Sequence, residues 1–161
     1  MNITNKPAIR IIKNTDYIPL QVRTEKECQA AEYINIRKSD HSLLELAFDK
    51  SDFSLCRITL LICADFRRLE EEYIVPINCL TGDVSADSSD EIETDTFYCE
   101  IFSNAVKITV SDSPTGACVV SENVVFELSE KGELISLCVL DSSGRASDHC
   151  NRELTSTQNN T

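Results

Sequence analysis

The chain has 161 residues, 42% of them hydrophobic, with 15 Lys and Arg against 27 Asp and Glu, a net charge of −12. That length suits one domain with an ordinary core. The negative charge excludes direct binding to nucleic acid, which takes Lys and Arg to displace counterions, and docking on anionic lipid. It favours basic partners, felt over a screening length of roughly 8–10 Å at physiological salt.

Residues 8–13 form a short β-branched run that reads as a first strand. Residues 16–23 continue extended, and Pro19 removes a ladder donor, which predicts an edge or a bulge. Thr24-Glu25-Lys26-Glu27 has the form of a capping box and predicts a short helix from Glu25 to about Tyr33, with a strand from there to Arg37; the competing reading extends the strand over Ala30 to Arg37. Residues 42–49 alternate, a polar turn follows at 49–52, and residues 53–66 are apolar on both faces. Apolar residues on both faces mark a central strand covered twice, so 42–66 reads as a hairpin at the middle of a sheet.

Residues 67–72 allow one helical turn, and Pro76 pushes 73–79 to an edge. Residues 81–95 show no apolar period and read as a long exposed loop. Two strands at 96–102 and 105–111 flank Ser103-Asn104, a two-residue hairpin spacing. Further strands are predicted at 117–121, 124–128 and 133–140. The result is a mainly β chain, an antiparallel sandwich or strongly curved sheet with one or two short helices, α+β being the alternative. Residues 1–141 form one domain and 142–161 a polar tail too poor in apolar groups to offset its ordering entropy.

Eight cysteines fall mostly at apolar strand positions, with no CxxC pair. No apolar run follows the N-terminal residues and none reaches the ~20 residues of a membrane helix, so a cytoplasmic setting and reduced core thiols are expected, with a zinc site or a disulfide set, which the even count permits, as the alternative. His41 and His149 are the only histidines and neither belongs to a nucleophile signature. The Asp148-His149-Cys150 cluster lacks further ligands at zinc spacing. The acids at 83–95 lack the regular odd positions and central Gly of a calcium loop. With four glycines there is no phosphate-binding loop. No enzyme, no metal and no cofactor is therefore expected.

One stretch stands out. Residues 69–106 hold ten acids and no Lys or Arg; Arg68 and Lys107 are the nearest bases. Closely spaced carboxylates on a loop suit Lys and Arg across a protein interface, which speeds association and selects partners. The expected partner-binding residues are Asp83, Asp87, Asp90, Glu91, Glu93 and Asp95, with Phe97 and Tyr98 as anchors and Tyr73 nearby. The competing expectation is a solvated loop whose charge only discourages edge-to-edge association.

Asn123-Val124-Val125-Phe126-Glu127-Leu128-Ser129-Glu130-Lys131-Gly132-Glu133-Leu134-Ile135-Ser136-Leu137-Cys138-Val139-Leu140-Asp141 resembles a small bacterial hairpin module, two strands joined by an acidic-Gly turn. In its size, acidity, sheet content and lack of catalytic motifs, the chain resembles immunity proteins of bacterial contact-dependent inhibition and related polymorphic toxin systems. That resemblance implies a tight complex with a basic partner, a cognate toxin domain and above all a nuclease, with its substrate face masked. Alternatives are an acidic nucleic-acid-mimicking regulator from a phage or mobile element, and a thiol or carboxylate enzyme.

Overall fold

Period-two alternation in nearly every apolar run sends successive side chains to opposite faces, which is the pattern of strands. The computed structural model describes residues 10–11, 20–23, 28–39, 41–87 and 91–140. They form β1 (Arg10–Ile11), β2 (Leu20–Arg23), β3 (Ala31–Lys38), β4 (Ser42–Asp49), β5 (Leu55–Ile62), β6 (Phe66–Arg68) and β7 (Leu80–Thr81). Then come β8 (Glu91–Glu93), β9 (Tyr98–Ile101), β10 (Ala105–Thr109), β11 (Ala117–Ser121), β12 (Val124–Leu128) and β13 (Leu134–Leu140). One sheet has the order β1-β2-β5-β4-β3-β8 and the other β6-β9-β10-β13-β12-β11-β7.

The mainly β expectation holds, and the predicted hairpin β4–β5 sits at the centre of the first sheet. The short helices do not hold among the described residues, which contain none. The capping box at Thr24–Glu27 lies outside those residues, but Ala31, Glu32 and Tyr33, assigned to the end of that helix, begin β3. Pairing decides it: β3 runs in unbroken register with β4 from Ala31↔Asp49 to Lys38↔Ser42, and a full ladder outweighs a local helix signal. The helical turn expected at 67–72 is likewise displaced, because Phe66–Arg68 pairs parallel with β9. The polar tail at 142–161 also lies outside the described residues. Among the described residues no helix is long and apolar enough to cross a membrane.

The two sheets share one apolar layer. Leu20, Val22, Leu44, Leu46, Ile58 and Leu60 face it from the first, and Ile101, Val106, Ile108, Phe126, Leu137 and Val139 from the second. Cys63 and Cys99 meet across this layer with their sulfurs 3.0 Å apart.

The second sheet is also covered on its outer face. Ala105, Val125 and Cys138 form a smaller core there, packed under Tyr73, Val75, Cys79, Phe102, Cys118, Val120 and Leu140. The cover is the chain between β6 and β7. Tyr73 N–H donates to Asn104 Oδ1 at 2.7 Å, and Asn104 Nδ2 donates back to Tyr73 O at 3.2 Å. The Tyr73 and Phe102 rings meet edge to face at 5.4 Å.

At the far end of this cover the half-buried Cys79 and Cys118 form a disulfide, whereas Cys56, Cys63, Cys99 and Cys138 are free and buried, as expected of core thiols. The parallel pairing of Leu80 with Val119 sets the two preceding cysteines side by side. A bridge with a sequence separation of 39 is worth about 4 kcal/mol on chain-entropy grounds. Reductant is therefore expected to lower the urea midpoint of the native protein, and to leave a Cys79→Ala/Cys118→Ala variant unchanged.

Burial pushes the Cys138 thiol up from 9.0 to about 12, with Lys107 pulling it down and Glu127 and Glu100 adding to the rise. Burial raises the Tyr73 hydroxyl as well, with Cys138 and Glu127 contributing. Both groups are neutral when protonated, so above the unfolded value the unfolded chain releases protons that the folded chain keeps. This contribution to stability is thus full below about pH 9 and falls as pH rises toward 12, by about 1.4 kcal/mol per pH unit for the Cys138 thiol. Urea unfolding from about pH 8 to pH 11 is expected to show this decline, and Cys138→Ala to flatten its first part.

Candidate functional site

The acid-rich segment does not hang free as a single loop. After Gly82, whose N–H donates to Val120 O at 3.1 Å, the chain leaves the second sheet and crosses to the turn between β4 and β5. There Ser85 bridges to Ser54, and Ala86 N–H donates to Phe53 O at 3.2 Å. It then adds β8 to the edge of the first sheet, parallel to β3, with Ile92 opposite Ile36. The exposed-loop expectation for 81–95 is corrected to this extent: Glu91, Ile92 and Glu93 are an edge strand.

Thr94 fixes the return. Its N–H donates to Arg37 O at 2.9 Å, and its hydroxyl donates to Val110 O at 2.8 Å while accepting from Thr96 N–H at 3.1 Å. One residue thereby ties the edge of the first sheet, through its backbone, to the end of β10 in the second, through its hydroxyl.

Between these attachments the sheets part around a cavity of about 580 Å³. Its interior is apolar, with Ile36, Leu46, Phe48, Val110, Phe126 and Leu134 among the lining residues. Val84 and Ala86 from the crossing segment pack against the main core beside it. Asp87, Glu93 and Glu133, all three exposed, also line it, as do Ser85, Thr94 and Ser111, and no Lys or Arg is among the lining residues. The arrangement is an apolar recess with a negative rim.

The predicted residues divide accordingly. Asp87 and Glu93 border the cavity. Asp83, Glu91 and Asp95 are exposed but outside its lining, and Glu91 is paired with Arg37 at 3.2 Å. Asp90 lies outside the described residues. Phe97 is only 2% exposed and belongs to the shared core, so it is unavailable as a surface anchor. An apolar ring at the start of β9 alternates inward with Cys99 and Ile101, which the neighbouring Tyr98 and Glu100 do not. Tyr98 is half-buried away from the cavity, with the Arg67 guanidinium 5.4 Å from its ring centre.

Glu133 was missed. It belongs to the turn after β12, which has Gly132 at φ 80°, and only the stacking of the sheets brings it to Asp87 and Glu93. The apolar interior was missed for the same reason, since its residues come from seven separated stretches.

Among the described residues the side chains close enough to hold one metal ion are Cys28, Asp49 and Cys56, at the β4–β5 turn, and not the acids of the rim. No protein-family model and no curated protein matches the chain.

Replacing Thr94 by Val keeps the shape and deletes the hydroxyl that reaches the second sheet. It is expected to cost about 1–3 kcal/mol in urea unfolding, because Thr96 N–H and Val110 O both lose a partner.

Proposed function

We propose that this chain is a binding protein that captures a basic protein partner at the acid-rimmed cavity. An apolar side chain of the partner enters the recess, and flanking Lys or Arg meet Asp87, Glu93 and Glu133. One observation carries the reading: three exposed carboxylates and no base line the mouth of an apolar cavity of about 580 Å³. A rim of one sign selects by charge, and a dry pocket supplies the anchor that charge alone does not.

The finer reading is that of an immunity-type inhibitor. A toxin domain that cleaves nucleic acid carries a cationic substrate face, and an acidic rim competes for it with phosphate. The resemblance in size, acidity and sheet content supports that reading, and so does the placement of Asp87 and Glu93 on one mouth.

The test compares three baits in the native host: the wild type, the charge-reversed Asp87→Lys/Glu93→Lys/Glu133→Lys, and Ser85→Trp at the cavity lining. A basic partner is expected to be retained by the wild type and lost by both variants. Its association rate is expected to fall steeply with salt for the wild type and weakly for the charge-reversed form. If expression of that partner alone arrests growth and co-expression of this chain restores it, the inhibitor reading stands. Retention of the same proteins by all three baits overturns the site.

A further inference from the structure

Three metal-ligating side chains converge at the turn end of the β4–β5 hairpin. Cys28 precedes β3, Asp49 is the last residue of β4, and Cys56 lies in β5. Two sulfurs and one carboxylate oxygen lie within 4.8 Å of one another. We propose that these residues bind one zinc-class divalent cation through two thiolates and a carboxylate, with the fourth position left to water or an added ligand. The proposal is independent of what the acid-rimmed cavity binds.

The backbone holds these groups together whether or not an ion is present. Ala31 pairs with Asp49 across β3 and β4. Lys50 N–H donates to Ala30 O at 2.9 Å, which draws the stretch ahead of β3 over the turn. Asp49 N–H donates to Ser54 O at 2.8 Å, and Phe53 N–H to Asp49 O at 2.8 Å, closing the turn on itself. Asp49 and Cys56 thus come from paired strands, and Cys28 lies two residues before Ala30, whose carbonyl is bonded to the turn, so less ordering entropy opposes binding.

The chemistry of the set points to zinc rather than to magnesium or calcium. Two sulfurs are soft donors, which hard cations do not take, whereas zinc combines sulfur with carboxylate in tetrahedral sites. Bonds of about 2.3 Å to sulfur and 2.0–2.2 Å to oxygen place the ligand atoms about 3.6–3.8 Å apart in a tetrahedron. The atoms here lie within 4.8 Å of one another, so binding draws them somewhat closer together.

The carboxylate is also prepared. Ser51 donates to Asp49 Oδ1 from its N–H at 2.8 Å and from its hydroxyl at 2.6 Å. Such donors orient a metal-binding carboxylate. Asp49 and Cys56 are buried and Cys28 is half-buried. A depression of about 450 Å³ lined by Gln29, Ala30, Asp49, Lys50 and Ser51 lies beside these residues. The occupied site would pin the approach to β3 onto the same turn whose Phe53 O and Ser54 hold Ala86 and Ser85, that is, onto one wall of the cavity.

The test uses the full chain, stripped with chelator and kept reduced, and titrated with Co²⁺ and then with Zn²⁺. One Co²⁺ per chain is expected, with a thiolate-to-cobalt charge-transfer band and the intense visible bands of tetrahedral cobalt, both displaced by zinc. Cys28→Ser and Cys56→Ser are each expected to weaken zinc binding at least about a hundredfold, more than loss of a supporting group does. Asp49→Asn is expected to weaken binding and shift the cobalt bands, and Cys63→Ala to change neither. Cys28 is half-buried, so Cys28→Ser carries the test if Cys56→Ser fails to fold. Absence of the charge-transfer band overturns the proposal. So does wild-type zinc affinity in Cys28→Ser, or a Cys28–Cys56 disulfide in freshly purified protein.

Discussion

A β-sandwich has to end its sheets somewhere, and an unpaired strand edge is a template for any other strand. Among the described residues every edge strand has two or three residues: β1 and β8 in one sheet, β6 and β7 in the other. Three of the four come from one piece of chain, between β5 and β9, and each pairs parallel with its neighbour. Parallel pairing follows from the route, because a segment that crosses between sheets and returns does not meet its neighbour through a tight hairpin. The acid-rich stretch is this lacing, and Glu91 and Glu93 put like charge on the outermost strand of the first sheet. Edge protection and partner capture are therefore compatible uses of the same acids.

The lacing also explains where the sheets part. Sandwich layers pack about 10 Å apart when inner-face side chains interdigitate. Where β8 stands at the edge of the first sheet, the second offers the turn at 129–133 instead of a strand. Side chains from the two layers do not fill that corner, and a cavity results. Thr94, bonded to both sheets, keeps its width fixed. The outer cover over Cys138 does the converse on the other side: it fills a face that would otherwise be wet, and Lys107 is left paired with Glu127 at 3.5 Å beside it.

Much of this was legible in the residues. The paired runs at 42–49 and 53–66, the Ser103-Asn104 turn and the strands at 117–140 carry their own period and punctuation, and they are where expected. What was not legible depends on contacts between distant stretches. Residues 31–33 joined β3 because β4 lay ready to pair with them. Cys79 and Cys118 are neighbours only through the register of β7 on β11, and Cys28, Asp49 and Cys56 only through the pairing of β4 with both β3 and β5. The rim was half legible: charge density singled out Asp87 and Glu93, whereas Glu133 sits in an ordinary turn and Phe97 looked exposed only because it follows an acidic loop.

Charge and cavity contribute unequally to any complex formed at this mouth. An exposed ion pair at a rim is worth about 0–1 kcal/mol and weakens with salt. An aromatic side chain entering an apolar recess removes about 150–250 Å² from water, a gross gain of about 4–6 kcal/mol at 25 cal/mol per Å². Three carboxylates together thus fall short of one well-seated ring, before the ordering cost that both share. The acids govern how fast a basic partner arrives and which partners are refused, and the recess governs how long the partner stays. A sequence scan for charge finds the first of these functions, and only the folded stacking of two sheets creates the second.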